Sequence, residues 1–326
     1  MRPAFSVILL TTLIGAGQGL FLALFTAQSY ALFGLLPPQN GHTFYAHGSL
    51  VALLLLAAGL LASFFHLGHP ERAWRTAAQW RTSWLSREVI VLPAFMGTVL
   101  LYGIAHLANW KPVLVTLPSG IPIDATVALG IAGTLLAFAL YICTAMVYAC
   151  LPFLREWATP LTVVNFILLG CASGFALAAA YATSAAPALV RFFAAGALVL
   201  TLLGLAGRVA ALVRNARLRP KSTLQTAIGI KHPRIVQKSQ GFMGGSFNTR
   251  EFFHGRSASL VRSIKWFFLL AGFVLPALLL VAGLTGAPKA AIVGAFAVQY
   301  VGLLAERLYF FAQSSHPQNL YYQAIA

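Results

Sequence analysis

The chain has 326 residues, of which 59% are hydrophobic and only 9% are charged. That balance lies far from the composition of soluble globular domains, so it excludes a soluble enzyme and predicts an integral membrane protein. The 22 lysines and arginines outnumber the six acidic residues and give a formal net charge of +16. In a soluble protein this charge would suggest nucleic acid, but here membrane topology and anionic lipid account for most of it, and we expect no nucleic-acid partner.

Eight apolar stretches divide the chain, and each is about the ~20 residues that a helix needs to cross a membrane, the first and fourth being longer. The expected spans are residues 5–34, 45–66, 88–108, 124–151, 160–182, 188–214, 264–285 and 288–311. Most connections between them are short. We therefore predict an all-α integral membrane protein whose eight helices form one bundle, with residues 1–326 as a single membrane-anchor domain.

The distribution of basic residues predicts the orientation of the bundle. An even number of spans places both termini on the same side, and nineteen of the 22 basic residues then fall on that side. The other side carries only Lys111, Arg191 and Lys289. Because basic loops stay in the cytoplasm, we expect both termini to be cytoplasmic, in a multi-pass protein of the bacterial inner membrane.

The first long connection, residues 67–87, has the sequence of a short interfacial helix. Pro70 suits the first position of a helix, and Ser86 is expected to be the N-cap of the third span. Such a segment should lie flat at the membrane surface. Its tryptophans are expected at the depth of the lipid headgroups: Trp74, Trp80 and Trp84.

The second long connection, residues 215–263, is basic and rich in phenylalanine near its end. A loop of this length is usually functional or disordered, and this one is too apolar for a free linker. We predict that it docks a partner protein, with burial at the membrane surface as the alternative. The residues expected to contact the partner are Phe242, Phe247, Arg250, Phe252 and Phe253.

Two ionisable residues are expected at the cytoplasmic mouth of the bundle. His66 ends the second span and Glu88 begins the third, so the hairpin between these spans brings them to the same depth. A histidine and a carboxylate at this depth could hydrogen-bond a quinone carbonyl and pass protons to it. Taken singly, each residue also has a structural interpretation, because the helix dipole favours a carboxylate at a helix start and a histidine at a helix end.

A second group of polar residues is expected near the same face: Arg208, Asn165 and Glu306, with Arg307 beside Glu306. Arg208 and Glu306 could form an internal salt bridge, or Arg208 could polarise the quinone pocket. Gln18 and Gln299 lie in the middle of spans and are expected to hydrogen-bond neighbouring helices.

The sequence gives little reason to expect a metal or haem in this subunit. Cys143, Cys150 and Cys171 form no CxxC or CxxCH motif, which argues against an iron–sulfur cluster or covalent haem, and they are expected to be buried and free. His47 and His106 lie near the non-cytoplasmic face, so one haem b is geometrically conceivable, although we do not predict it.

Two short stretches carry a resemblance to a known family. The sequences HLGHPERAWR at 66–75 and SWLSREV at 83–89 resemble the membrane-anchor subunit family of dimethyl sulfoxide reductase, as does the eight-span plan. In that family the anchor holds an iron–sulfur subunit and a molybdopterin catalytic subunit at the membrane and exchanges electrons with quinone, without haem. The resemblance implies that His66 and Glu88 are the histidine and glutamate of the quinone site. The segment 238–255 is similar to the branch that accompanies cytoplasmic sulfite dehydrogenases (sulfite:quinone oxidoreductases).

These expectations describe the non-catalytic, quinone-reactive subunit of an oxidoreductase complex, which passes electrons from an iron–sulfur subunit to ubiquinone or menaquinone. A cytoplasmic catalytic module fits oxidation of sulfite to sulfate inside the cell better than reduction of an external acceptor. The first alternative is an anchor running in reverse, oxidising quinol for a dimethyl sulfoxide reductase. An alternative of another class is a small-solute transporter. Transporters place charge near the bilayer midplane, whereas here the charges cluster at one face.

Overall fold

The computed structural model describes residues 4–118, 120–219, 223–236 and 258–314. In these ranges the chain is predominantly helical, with eight helical segments long and apolar enough to cross a membrane, as the hydrophobic pattern predicts. They are α1 (Phe5–Leu32), α2 (Ala46–Phe64), α3 (Trp84–Leu107), α4 (Ala125–Ala149), α5 (Pro160–Ala185), α6 (Val190–Ala216), α8 (Ala258–Leu269) continued by α9 (Leu275–Leu284), and α10 (Lys289–Ala312). A short helix, α7 (Leu224–Ile228), lies between α6 and α8 in the chain.

Local capping chemistry sets where several of these helices begin. The Asp124 carboxylate accepts a hydrogen bond from the backbone N–H of Val127 at 3.0 Å, which starts α4, and Thr159 caps α5. At the start of α3 the hydroxyl of Ser83 accepts from the backbone N–H of Ser86 at 3.3 Å. The prediction of Ser86 as the N-cap is therefore wrong, because Ser83 already supplies the oxygen that the first turn needs and Ser86 lies buried inside the helix.

Helix α1 lies at the centre of the bundle and contacts α2, α4, α5 and α10. Its contact with α5 brings backbone against backbone. A Cβ added at Gly19 would clash with the carbonyl oxygen of Gly170, and one added at Gly174 would clash with the backbone of Gly19. Without a hydrophobic driving force between helices in lipid, close packing of small residues is a main source of helix association, and these glycines permit it.

The two mid-span glutamines hydrogen-bond neighbouring helices, as predicted. Gln18 Nε2 donates to the backbone carbonyl of Ala137 on α4 at 2.9 Å. Gln299 Nε2 donates to Thr201 Oγ1 on α6 at 2.8 Å. Each bond satisfies a polar group that would otherwise be costly inside the membrane.

The seventh apolar segment contains a π-helical turn, Leu270–Val274, between α8 and α9. The turn precedes Pro276, which has no backbone N–H to donate to the preceding turn. Gly272 in this turn packs closely against Gly302 of α10. The widened turn therefore accommodates the proline and keeps the two backbones in contact.

An antiparallel hairpin that was not predicted from the sequence connects α3 to α4. Strand β1 (Val113–Thr116) pairs with β2 (Pro122–Asp124), and Gly120 in the turn has φ of 81°. The residues of β1 are exposed, so the hairpin carries no core of its own. We refer to this end of the bundle as the hairpin end.

Contacts among helix termini define the opposite end, which we call the Glu88 end. They join the starts of α1, α3 and α5 to the ends of α2, α4, α6 and α10. The contacting pairs are Ser6 with His66, Glu88 with Thr144, Arg155 with Arg214, and Trp157 with Phe310. This is the end to which the basic residues were assigned, and its cytoplasmic orientation stays a prediction.

The two long connections differ in how much of them is described. In the first, Pro70–Gln79 forms the expected short helix, as a 3-10 helix, and Trp74 and Trp80 are exposed. In the second, α7 is capped by Thr223. The residues predicted to dock a partner, Phe242, Phe247, Arg250, Phe252 and Phe253, lie outside the described residues.

Candidate functional site

His66 lies on the surface just beyond the C-terminus of α2. Its Nδ1 is 3.3 Å from the hydroxyl oxygen of Ser6, which ties it to the start of α1. Partial burial lowers the pKa of His66 below its usual 6.5, which favours the neutral ring at pH 7. Nε2 makes no hydrogen bond with a described residue, which leaves one ring nitrogen available to a ligand.

Glu88 lies in the second turn of α3 and is half-buried. Its Oε1 accepts a hydrogen bond from the hydroxyl of Thr144, on α4, at 2.7 Å. Its Oε2 makes no hydrogen bond or ion pair within the described part of the chain. One carboxylate oxygen is thus positioned by Thr144 while the other is open to exchange protons.

A cavity of about 20 Å³ adjoins the Glu88 side chain between α1, α3, α4, α5 and α10. Eight of its 15 lining residues are polar. The polar residues are Thr11, Thr12, Gln18, Glu88, Tyr141, Thr144, Ser173 and Arg307. A polar cavity of this volume has room for about one water molecule and cannot contain a quinone ring.

Arg208, Glu306 and Arg307 form a buried ionic cluster at the same end. Arg208 Nε lies 2.8 Å from Glu306 Oε1, and Arg307 Nε lies 3.3 Å from Glu306 Oε2. The three side chains are 2%, 1% and 6% exposed. The salt bridge predicted between Arg208 and Glu306 is therefore present, and with Arg307 the cluster carries a formal charge of +1.

Aromatic rings surround the two guanidinium groups of this cluster. The Arg307 guanidinium carbon lies 3.8 Å from the centre of the Phe166 ring, and that of Arg208 lies 5.5 Å from Phe268. Cations on aromatic faces are stabilised by the ring quadrupole, most strongly when they are withdrawn from water. These contacts help to offset the cost of burying two arginines.

Asn165 lies beside a second cavity, of about 10 Å³, that adjoins the ionic cluster. Its Nδ2 donates to the backbone carbonyl of Gly207 at 3.2 Å. Its Oδ1 and the Arg208 Nη2 have no hydrogen-bond partner in the described residues. The second cavity is also lined by Glu156 and Thr162, from the connection before α5 and the first turn of α5.

The structure thus separates the predicted site residues into two groups. His66 and Glu88 share one end of the bundle but do not hydrogen-bond each other; His66 pairs with Ser6 and Glu88 with Thr144. Arg208, Asn165 and Glu306 lie together around the second cavity.

Sequence reasoning missed two residues of the site. Thr144 carried no sequence signal, because its role depends on which face of α4 meets α3. Glu156 did carry a sequence signal, because it is among only six acidic residues in the chain.

The residues considered for metal or haem are dispersed. Among the described residues, no group of three or more His, Cys, Asp or Glu is placed to hold a metal ion. His106 is buried near the hairpin end between Tyr45 and Tyr102, whereas His47 is exposed. Of the three free cysteines, Cys150 is exposed, which corrects the expectation that all are buried, because it follows the last residue of α4.

Comparison with known proteins gives two matches. Residues 1–231 match the family described as DMSO reductase anchor subunit (DmsC). The chain is also similar to a subunit of the sulfite dehydrogenase of Allochromatium vinosum, with 58% identity over 327 residues and 100% of each chain covered. The family match includes His66, Glu88, Asn165 and Arg208, while Glu306 falls only within the second match.

Proposed function

The chain belongs to the DMSO reductase anchor subunit family, and we propose that it is the quinone-reactive membrane anchor of a sulfite-oxidising molybdopterin complex. The observation that carries the quinone assignment is Glu88. It is a carboxylate at membrane depth with one oxygen fixed by Thr144 and the other open, at the same end as His66. Ionisable residues in such positions are costly and mark sites of proton or ligand chemistry.

His66 and Glu88 fit the two requirements of a quinone site, a polar anchor and a proton donor. The quinone, when bound, accepts two electrons and two protons. In the tautomer with its proton on Nε2, the neutral His66 imidazole accepts a hydrogen bond from the Ser6 hydroxyl at Nδ1. Its Nε2–H is then a hydrogen-bond donor for a ligand. Glu88 gives up a proton from its open oxygen while Thr144 keeps the carboxyl group oriented.

The small cavity beside Glu88 limits where a quinone ring can bind. At about 20 Å³ it is too small for the ring, so His66 and the side of Glu88 that faces away from the cavity would hold a quinone. His66 is exposed and Phe65 beside it is 87% exposed, which leaves this side accessible from the membrane surface. Glu88 would then connect the bound quinone with the cavity inside the bundle.

The partners follow from the family and from electron-transfer distance. We propose that an iron–sulfur subunit docks over the Glu88 end and delivers electrons, with a molybdopterin catalytic subunit attached to it. Both would lie on the cytoplasmic side, since the basic residues predict that this end faces the cytoplasm. The aromatic segment 238–255 would contribute to this docking, and its deletion should release the catalytic subunits into the soluble fraction.

Sulfite is the proposed electron donor because of the similarity to a sulfite dehydrogenase subunit along the whole chain. The family description supports a second candidate, a quinol-oxidising anchor that serves reduction of dimethyl sulfoxide. Membranes from a strain lacking this chain should lose sulfite-dependent quinone reduction, and the restored gene should return it. If they keep that activity but lose quinol-driven reduction of dimethyl sulfoxide, the second candidate is correct.

A further inference from the structure

Three of the chain's six acidic residues line two neighbouring cavities at the Glu88 end. Glu88 lines the first cavity, while Glu156 and Glu306 line the second. Phe166 and Arg307 line both cavities, so the two cavities adjoin the same pair of side chains. Acidic residues are scarce and costly in this membrane bundle, so their concentration along one path calls for a functional explanation.

The two cavities have the size and polarity of water sites. Their volumes are about 20 and about 10 Å³, and roughly 10–15 Å³ suffices for one water molecule. At the second cavity, Asn165 Oδ1 and Arg208 Nη2 are buried without a hydrogen-bond partner in the described residues. Buried polar atoms of this kind are normally satisfied by ordered water.

Glu156 forms the outer end of this path. It lies half-buried in the connection between α4 and α5, and its carboxylate makes no ion pair with a described residue. The connection is anchored on both sides of it, since Trp157 Nε1 donates to the Phe310 carbonyl at 2.9 Å and Arg214 donates to the Arg155 carbonyl at 3.0 Å. A fixed backbone with an open carboxylate suits a group that collects protons from water.

We propose that the two cavities conduct protons from the aqueous face at Glu156 to Glu88. This inference rests on the proposed quinone function. For each quinol formed, two electrons come from the iron–sulfur subunit and two protons come from water. Every proton that Glu88 gives up is replaced by a proton that travels along this path. Glu306 acts as a positioning residue, because its negative charge offsets part of the repulsion that Arg208 and Arg307 exert on an incoming proton.

The test uses Glu156→Gln in the intact membrane-bound complex, with Glu71→Gln as the matched control. Glu71 is another carboxylate of the Glu88 end, but it is 61% exposed and lines neither cavity. Loss of a proton-donating group should slow quinone reduction by about tenfold or more in Glu156→Gln, while activity with a soluble electron acceptor is unchanged. Glu156→Asp should retain most of the rate, and Glu71→Gln all of it.

Chemical rescue separates proton delivery from a structural role. Adding a small weak acid such as formic acid should restore quinone reduction in Glu156→Gln, because a diffusible acid can replace the missing carboxyl group. Any of three results for Glu156→Gln would overturn the proposal. Quinone reduction could be as fast as in Glu71→Gln, both activities could be lost together, or formic acid could fail to restore the lost rate. Hydroxyl-radical footprinting of wild-type complex gives a readout without turnover, since water in the cavities should cause oxidation of the buried Phe166.

Failure of this path and failure of the quinone site give different results. If Glu88→Gln leaves quinone reduction intact, the proposed function itself is wrong. If Glu88→Gln abolishes quinone reduction but Glu156→Gln does not slow it, the quinone site stands and the proton path is wrong.

Discussion

Replacing Glu306 by glutamine should strongly destabilise the protein, because it leaves two buried guanidinium groups without their counter-charge. The carboxylate lies 2.8 Å from Arg208 and 3.3 Å from Arg307. At an effective dielectric constant of about 20, these separations correspond to gross attractions of about 6 and about 5 kcal/mol. Desolvation offsets much of this, and loss of one partner from a buried pair typically costs about 3–5 kcal/mol of the free energy of unfolding.

Unfolding of the purified chain in mixed micelles, titrated with sodium dodecyl sulfate and followed by tryptophan fluorescence, measures this loss. Glu71→Gln is the control and should change the free energy of unfolding by about 1 kcal/mol or less, because its ion pairs are exposed. Adding Arg208→Met to Glu306→Gln should cost less than the sum of the two single losses, since it removes one uncompensated charge. A Glu306→Gln variant as stable as Glu71→Gln would refute the assignment of a buried, charged cluster.

Three further predictions follow from individual contacts. Gly19→Ala should lower the free energy of unfolding by roughly 1–3 kcal/mol because its methyl group meets the backbone of α5, whereas Gly97→Ala, with open space around it, should not. Thr144→Val removes the hydrogen bond to Glu88 and should reduce quinone-linked turnover about ten- to a hundredfold. Activity with a soluble electron acceptor should not change, and unchanged quinone-linked turnover would count against the orienting role of Thr144. The pH dependence of His66 carbethoxylation should give a pKa below 6.5, as burial requires, and a higher value would contradict this environment.

The number of membrane-spanning helices and several buried polar pairs could be predicted from the sequence, for physical reasons. A membrane helix must be apolar over its whole length, so hydropathy alone counts the spans. Arg208 and Glu306 fall at similar depths on different helices, and two opposite charges inside a membrane are expected to pair. The hydrogen bonds of Gln18 and Gln299 were predictable for a similar reason, because a polar side chain inside a membrane needs a hydrogen-bond partner.

The parts that could not be predicted depend on how the helices are rotated about their axes and on competition between nearby residues. Ser83 and Ser86 are both good N-caps, and hydropathy places the start of α3 no better than within one turn. Thr144 meets Glu88 only because of the rotation of α4 against α3. The two cavities arise from side chains of several helices, so no local pattern in the chain indicates them.

The most direct test of the account compares two electron acceptors in purified complexes that carry His66→Ala or Glu88→Gln. The matched control is His69→Ala, an exposed histidine three residues from His66 that pairs with Glu71. We expect both variants to assemble with the catalytic subunits and to reduce a soluble acceptor at the wild-type rate, while quinone reduction is lost, and His69→Ala should retain both activities. Wild-type quinone reduction in either variant, or an equal loss of both activities, would contradict the assignment of His66 and Glu88 to the quinone site.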